Sequence, residues 1–302
     1  MEESDENYDY EKLKEVGKVS YETLQYAKGL VKIGAKVRDV CEKSEEFIRG
    51  KGMVPAFPVN VSINQNAAHY TAMINDMLAF SEADLVKIDL GARSDDILGD
   101  CAVSVDLSGR YPQLIEAAEE ALDTAISLTK AGAKLNSIGK EVEAIANKRK
   151  LNPIRNLGGH AIEKGELHAS LFVPNFDNGD TTELEEGEVV ALETFITDGV
   201  GYVVDTSNVQ IFQKVGIANP RSEEARKITS VVDNDYKTYP FAVRWLASGI
   251  DSEFRIRKGL NELSSLNILE SFPTLAEKSN GIVAQAEKEV IVEKDACTVV
   301  TK

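Results

Sequence analysis

The sequence is poor in cysteine, in histidine and in long apolar runs, and each scarcity excludes a class of protein. Three cysteines, Cys41, Cys101 and Cys297, are odd in number and lack C-x-x-C spacing, which excludes a disulfide framework and a zinc knuckle. No run approaches the roughly 18 apolar residues that a bilayer span requires, and the start MEESDENYDYEKL is acidic where a signal peptide is basic. We therefore expect a cytoplasmic protein without a membrane segment.

Basic side chains are also outnumbered, since 34 Lys and Arg face 50 Asp and Glu for a net charge of −16. Binding to a phosphate backbone needs a basic face, so this balance disfavours nucleic acid as the main partner. The 302 residues are 43% apolar, which is enough for a packed core. The length fits two domains or one large α/β domain.

Helical and β-type segments alternate along the chain. Apolar residues at helical spacing predict helices over 9–31, 37–49, 112–131 and 138–150. The predicted β-type runs are 85–90, 97–107, 158–168, 189–196 and 202–212, and the β signal returns at 281–300. Residues 219–271 lack a β-rich run and predict an inserted helical subdomain.

A faint internal repeat relates the two halves of this pattern. The segment DLVKID at 84–89 resembles EVVALE at 188–193 with an offset of 104 residues, and Asp100 has a counterpart in Asp205. With the order helix, helix, hairpin in both halves, the repeat predicts two related α/β halves with a site between them.

The first β-hairpin contains two aspartates that we expect to oppose each other. A turn centred between Ser94 and Asp95 places Asp89 opposite Asp100, where like charges about 4 Å apart repel by about 4 kcal/mol at an effective dielectric near 20. A shared proton or a bound cation would relieve this repulsion. The ordinary alternative is a pair of solvated turn residues.

Three further polar residues stand in β-type surroundings. Glu193 lies within the apolar run VVALETFI, and Glu287 lies in IVAQAEKEVIV, where Gln285 and Glu289 share its face. His160 follows NLGG, which allows a close approach to a strand. An unpaired buried carboxylate is costly, so four carboxylates and one imidazole together predict a metal site.

The motifs around these residues resemble a known family. The segments KIDLGARSDDILGD, NLGGH, ALETF and AQAE are similar, in order and spacing, to the five-ligand pattern of dinuclear metallopeptidases with the pita-bread fold. PAFPVNVSINQNAAHYT, the ELH that ends at His168 and the insertion with YPFAVRWL resemble methionine aminopeptidases of type 2, archaeal form. The resemblance covers essentially the whole chain.

This resemblance implies an α/β fold in which two pseudo-symmetric halves surround a curved antiparallel sheet with outer helices. Residues 1–302 would form one catalytic domain, with 219–271 as the inserted helical subdomain. Asp100 and Glu287 would bridge two divalent ions (cobalt, manganese, iron or zinc), Asp89 would complete the shell of one ion, and His160 with Glu193 that of the other. Four carboxylates would balance the charge of two such ions.

The resemblance also implies the reaction and its substrate. A bridging water or hydroxide would attack the first peptide bond. His69 and His168 would bind the scissile amide and stabilise the tetrahedral intermediate. Phe57, Leu167 and Phe272 would line a pocket for an unbranched side chain. The expected function is removal of the N-terminal methionine from peptides and nascent proteins by a monomeric enzyme that contacts the ribosome transiently.

Two alternatives and three departures accompany this expectation. Thr194, Lys288 and Cys101 stand where the family commonly has proline, histidine and threonine, which affects the expected metal affinity, pH optimum and sensitivity to oxidation. A proline dipeptidase or aminopeptidase P needs the same metal cluster, but it carries an N-terminal domain that this chain lacks. A non-catalytic relative that binds ribosomes or RNA usually loses ligands, whereas all five are present here.

Overall fold

The computed structural model describes residues 8–250 and 252–302, and helices pack there on the outside of antiparallel sheets. The helices are α1 (Tyr10–Leu30), α2 (Val37–Gly50), α3 (Pro112–Leu128), α4 (Leu135–Lys148), α5 (Glu223–Val231) and α6 (Glu253–Ser265), with a π-helical turn at Val232–Tyr236 and a 3₁₀ turn at Val243–Ser248. Within this described part, no helix has the length and apolar character needed to cross a membrane.

The strands of the first half are β1 (Val54–Pro55), β2 (Asn60–Ile63), β3 (Asn66–Ala68), β4 (Leu85–Leu90), β5 (Ala92–Ser94), β6 (Ile97–Leu98) and β7 (Cys101–Asp106). Those of the second half are β8 (Asn152–Pro153), β9 (Gly158–Ala161), β10 (Phe172–Pro174), β11 (Val189–Thr197), β12 (Val203–Lys214), β13 (Phe241–Ala242), β14 (Leu269–Glu277), β15 (Val283–Val292) and β16 (Cys297–Val299).

The described strands form three sheets, of which the largest has nine strands and carries most of the site. Its path runs β10-β9-β11-β15-β7-β4-β2, with β8 on β11 and β16 on β15. A second sheet has the order β13-β12-β14-β3, and a third the order β1-β5-β6. Each paired strand runs antiparallel to its neighbour.

The helices begin where local chemistry favours them. The carboxylate of Asp9 caps α1 by accepting from the Lys12 amide at 2.9 Å, and Pro112 occupies the first turn of α3. The apolar stripe of α3, which includes Leu114, Ala118 and Ala121, packs with α4 against the outer face of the large sheet. This packing holds the opposite face of β11 and β15 towards the site.

The register of the first hairpin differs from the prediction. Asp89 pairs with Ala102 rather than Asp100, because the turn lies at Asp95 and Asp96, one residue further along the chain. Asp95 adopts a φ of +53°, which aspartate tolerates better than most residues, so it accommodates this later turn. The predicted direct opposition of Asp89 and Asp100 was therefore wrong.

Two glycines bend the same hairpin between its inner and outer parts. A Cβ atom on Gly91 would lie 1.7 Å from the carbonyl oxygen of Gly99, so the two backbones approach more closely than any side chain permits. Asp100 follows this bend and precedes β7. Asp100 therefore lies next to this close approach, immediately before the strand that pairs with β4.

The internal repeat corresponds to only part of the structure. The helix pairs α1–α2 and α3–α4 precede the similar strands β4 and β11, which lie in one sheet with β15 and β7 between them. However, β12 pairs with β14 in another sheet instead of forming a hairpin with β11. Asp205 on β12 is therefore not the structural equivalent of Asp100.

The segment predicted as an inserted subdomain contains α5, α6 and the two short helical turns, but it also contains the short strand β13 and the beginning of β14. β14 begins at Leu269, so Phe272 lies in a strand that the sequence reading missed. Pro273 interrupts the β-type pattern there and pairs with Val209 at an irregularity in the ladder.

Candidate active site and metal centre

A cavity of about 440 Å³ lies on the inner face of the large sheet. Its lining includes every residue that the sequence analysis selected for the site: Phe57, His69, Asp89, Asp100, His160, Leu167, His168, Glu193, Phe272 and Glu287. These residues come from seven separate stretches of the chain, which the fold brings together around one cavity.

Adjacent strands place four of the candidate ligands. Glu193 on β11 lies directly opposite Glu287 on β15, and His160 on β9 lies opposite Ala191 on β11. Asp89 occupies the end of β4. Opposed like charges on a sheet are destabilising, so the unfavourable pair expected for the aspartates exists between the two glutamates.

The candidate ligand atoms form two overlapping groups. Asp100, His160 and Glu287 offer atoms within 4.8 Å of one another, and Asp89, Glu193 and Glu287 do the same. Glu287 belongs to both groups, as a bridging residue would. The resemblance assigns Glu193 to the ion held by His160, whereas this spacing groups it with Asp89.

Burial shapes the electrostatics of the cluster. It raises the pKa of Asp89 to about 7, and it raises the pKa of Glu193 well above its usual value with a further contribution from the charge of Asp89. Burial, and then the neighbouring carboxylates, also raise the pKa values of Asp100 and Glu287. The four acids therefore resist simultaneous ionisation unless positive charge lies among them.

The donor atoms of the cluster fit divalent cations. Among the described residues, Oδ1 of Asp89, Oδ1 of Asp100 and Oε2 of Glu287 are buried and have no hydrogen-bond partner. Unsatisfied buried oxygens are costly, and hard or borderline divalent cations prefer oxygen ligands with imidazole. Four carboxylates would also neutralise two doubly charged ions.

His160 is oriented towards the carboxylates. Its Nε2 lies 3.6 Å from Oδ2 of Asp100, while Nδ1 lies 3.3 Å from the carbonyl oxygen of Ala161. Burial lowers its pKa to about 3, which keeps the ring neutral at physiological pH. A proton on Nδ1 would be donated to that carbonyl and would leave Nε2 free as a ligand.

The other two histidines border the same space. The His168 ring lies 4.4 Å from that of His160, and the His69 ring meets Phe272 edge-on at 5.8 Å. His69 has a φ of +63°, a strained conformation for a residue other than glycine. Burial, and then His168, lower its pKa to about 4, so His69 is a neutral imidazole near pH 7.

The residues that depart from the family pattern lie on the outer face of the sheet. Thr194 is buried with Oγ1 2.9 Å from the carbonyl oxygen of Ala118 on α3. Cys101 and Lys288 line a cleft between α1 and α3, and Cys101 is only 1% exposed. Each follows a candidate ligand by one residue, which turns its side chain away from the cavity.

Two polar residues at the site were not selected from the sequence. Asn60 on β2 lies opposite Asp89, and its side chain partly offsets the rise in the pKa of that carboxyl. Gln285 on β15 donates to Asp89 and Glu193. The alternation on β15 already placed Gln285 beside Glu287, whereas the pairing of Asn60 depends on a strand neighbour that no local pattern indicates.

The sequence profile of metallopeptidase family M24 matches residues 11–219, a stretch that contains all the candidate ligands except Glu287. The chain belongs to metallopeptidase family M24. It is 40% identical to the methionine aminopeptidase of Pyrococcus horikoshii over 97% of this chain and 100% of that relative. The prediction of a metallo-aminopeptidase is thus confirmed, and membership of this family implies that the chain uses divalent metal and acts on peptides.

Solved structures extend the likeness to the whole M24 fold. A thermophilic Arx1 superposes with a TM-score of 0.82 at 17% identity, covering 96% of this chain and 90% of that one. The methionine aminopeptidase of Thermotoga maritima gives a TM-score of 0.71 at 19% identity, with both chains covered in full. At such identities the likeness shows the fold alone, and it confirms the predicted pita-bread architecture.

Proposed function

We propose that this M24 protein removes the N-terminal methionine from peptides and nascent proteins with the help of two divalent metal ions. The observation that carries the proposal is the meeting of four carboxylates and one imidazole at one wall of a cavity whose other walls are largely apolar. The full-length likeness to a methionine aminopeptidase supports the choice of substrate.

The metal ions would be held by the five clustered residues. In this assignment Asp100 and Glu287 would bridge the ions, Asp89 would complete one shell, and His160 with Glu193 would complete the other. Cobalt, manganese, iron and zinc all suit such a donor set. Bound divalent ions supply the Lewis acidity that makes water nucleophilic near neutral pH.

The remaining lining residues would bind and orient the substrate. His69 and His168 line the cavity and would contact the scissile amide, since a neutral imidazole N–H can donate to the oxygen on which charge develops. Phe57 and Leu167 are buried apolar residues, and Phe272 stands beside His69. Together these three would hold the unbranched methionine side chain.

Substrate release separates this proposal from the two alternatives. The purified protein, loaded with Mn²⁺ or Co²⁺, should release free methionine from Met-Gly and Met-Ala peptides. Activity confined to Xaa-Pro peptides would favour a proline-specific peptidase instead. A metal-loaded protein without activity on either series would favour a non-catalytic relative.

The type 2 assignment and the cellular setting belong to the same proposal. The helical elements within 219–271 support the archaeal type 2 form, with this segment inserted into a single catalytic domain. The acidic composition and the resemblance support a cytoplasmic monomer that meets its substrates at the ribosome. Native mass measurement tests the monomer, and cosedimentation with ribosomes tests the contact.

A further inference from the structure

Gln285 lies between two of the proposed metal ligands. Its Nε2 is 2.6 Å from Oε1 of Glu193 and 3.4 Å from Oδ2 of Asp89. The side chain is only 1% exposed, and it precedes Glu287 by two residues on the same face of β15. One amide group therefore contacts two of the proposed metal ligands.

The chemistry of the amide suits this position. An NH₂ group carries two hydrogens and donates two bonds, so it can occupy one oxygen of each carboxylate. The other oxygen of Asp89, Oδ1, is buried without a hydrogen-bond partner among the described residues. The side-chain amide bonds to Oδ2 of Asp89, so Oδ1 is the oxygen that is left for a cation.

The backbone of Gln285 is hydrogen-bonded as well as its side chain. The Ser104 hydroxyl on β7 donates to the backbone carbonyl oxygen of Gln285 at 2.7 Å. The same hydroxyl accepts from the backbone N–H of Gln285 at 2.8 Å. These two bonds join β15 to the strand that follows Asp100. The backbone that carries the Gln285 side chain is therefore hydrogen-bonded to the neighbouring strand.

We propose that Gln285 is a positioning residue that holds Asp89 and Glu193 in their metal-binding orientations. This inference rests on the proposed metal roles of Asp89 and Glu193. Groups that hydrogen-bond to metal ligands fix the geometry of those ligands, and their loss usually weakens metal affinity about 10–100-fold.

Gln285→Met tests the proposal, because methionine keeps the length of the side chain and removes both donors. Co²⁺ is titrated into metal-free protein, and binding is followed by calorimetry and by the visible absorption of the bound ion. We expect the affinity for Co²⁺ to fall about 10–100-fold and the absorption spectrum to change. Wild-type affinity and an unchanged spectrum in this variant would overturn the proposal.

Gln210→Met is the matched control. Gln210 is also a buried strand glutamine, but it lies on β12, where it bonds to Asn208 and Arg257 away from the cavity. This variant should keep the wild-type affinity for Co²⁺ even if it loses stability. An equal loss of affinity in both variants would show a general structural effect and would also overturn the proposal.

Two further results keep the outcomes distinct. Gln285→Asn retains a side-chain amide, but the side chain is one methylene shorter and reaches only one carboxylate. It should therefore weaken Co²⁺ binding, and it serves as the test if Gln285→Met fails to fold. Wild-type affinity for Co²⁺ in Gln285→Asn would contradict the inference. Wild-type protein that fails to bind two Co²⁺ ions would instead contradict the proposed metal centre itself.

Discussion

At the scale of single residues, Glu193 and Glu287 form an unfavourable pair of like charges in the sheet. They are directly opposed on β11 and β15, and neither has a basic partner in the ion pairs of the described residues. Replacing either one with glutamine relieves the repulsion but removes a ligand. Stability and metal binding should therefore respond in opposite directions to the same change.

Glu287→Gln should abolish metal-dependent turnover and leave the metal-free fold at least as stable as that of the wild type. Loss of a ligand that both groups share should weaken metal affinity by more than the about 100-fold typical of a ligand's hydrogen-bond partner. Isothermal titration with Mn²⁺ and thermal unfolding in chelator measure both effects. The control is Glu270→Gln at an exposed position of β14, and near-normal activity of Glu287→Gln would refute a bridging role.

The raised pKa values of the acids make metal binding depend on pH. A carboxyl group whose pKa is higher in the folded than in the unfolded protein stabilises the fold at low pH. That contribution is lost as pH rises through the folded pKa. For Asp89 the folded pKa is about 7. Metal binding displaces the protons and compensates the carboxylate charges. The metal-loaded protein therefore does not lose this stability as pH rises.

The stability difference between metal-loaded and metal-free protein should therefore grow from pH 6 to pH 8. Taking this difference cancels groups outside the cluster, including the buried Lys87, whose pKa is lowered by burial. Unfolding temperatures of both forms at each pH supply the measurement. A difference that stays constant, or shrinks as pH rises, would mean that the four acids are already ionised without metal.

At the scale of elements, a buried ion pair joins the 3₁₀ turn at Val243–Ser248 to α2. The guanidinium of Arg244 in this turn pairs with Glu45, which also accepts from the Trp245 indole at 2.8 Å. Arg244 also donates to the Thr71 hydroxyl at 2.8 Å, two residues after His69. The turn therefore supports the stretch that carries a proposed catalytic histidine.

Arg244→Met should destabilise the protein by about 3–5 kcal/mol, because it leaves the Glu45 carboxylate buried without its cation. The double variant Arg244→Met/Glu45→Leu should lose less, since no buried charge then remains. Urea unfolding gives both values, with Lys227→Met on the exposed surface of α5 as the control. The expectation fails if the double variant is less stable than the single one.

The elements also show where sequence reasoning succeeded and where it failed. Helix positions followed from periodicity and capping residues, because these signals are local. The register of the first hairpin did not, since it depends on which aspartate adopts a positive φ, and β14 was missed because Pro273 disrupts its pattern. The two support residues, Asn60 and Gln285, depend on strand partners distant in the sequence.

At the scale of the whole molecule, the candidate site was easier to predict than the topology. Each motif carried its own charged or aromatic residue, and all ten selected residues line one cavity. Their roles as ligands, catalytic groups and pocket walls remain predictions. The grouping of Glu193 with Asp89 depends on side-chain geometry that spacing in the sequence does not determine.

Anomalous diffraction from crystals grown with excess Co²⁺ tests the central claim most directly. Two peaks should lie about 3.5–4 Å apart among the five clustered residues, with Asp100 and Glu287 in contact with both. A single fully occupied ion, or none, between these carboxylates at saturating Co²⁺ would contradict the account.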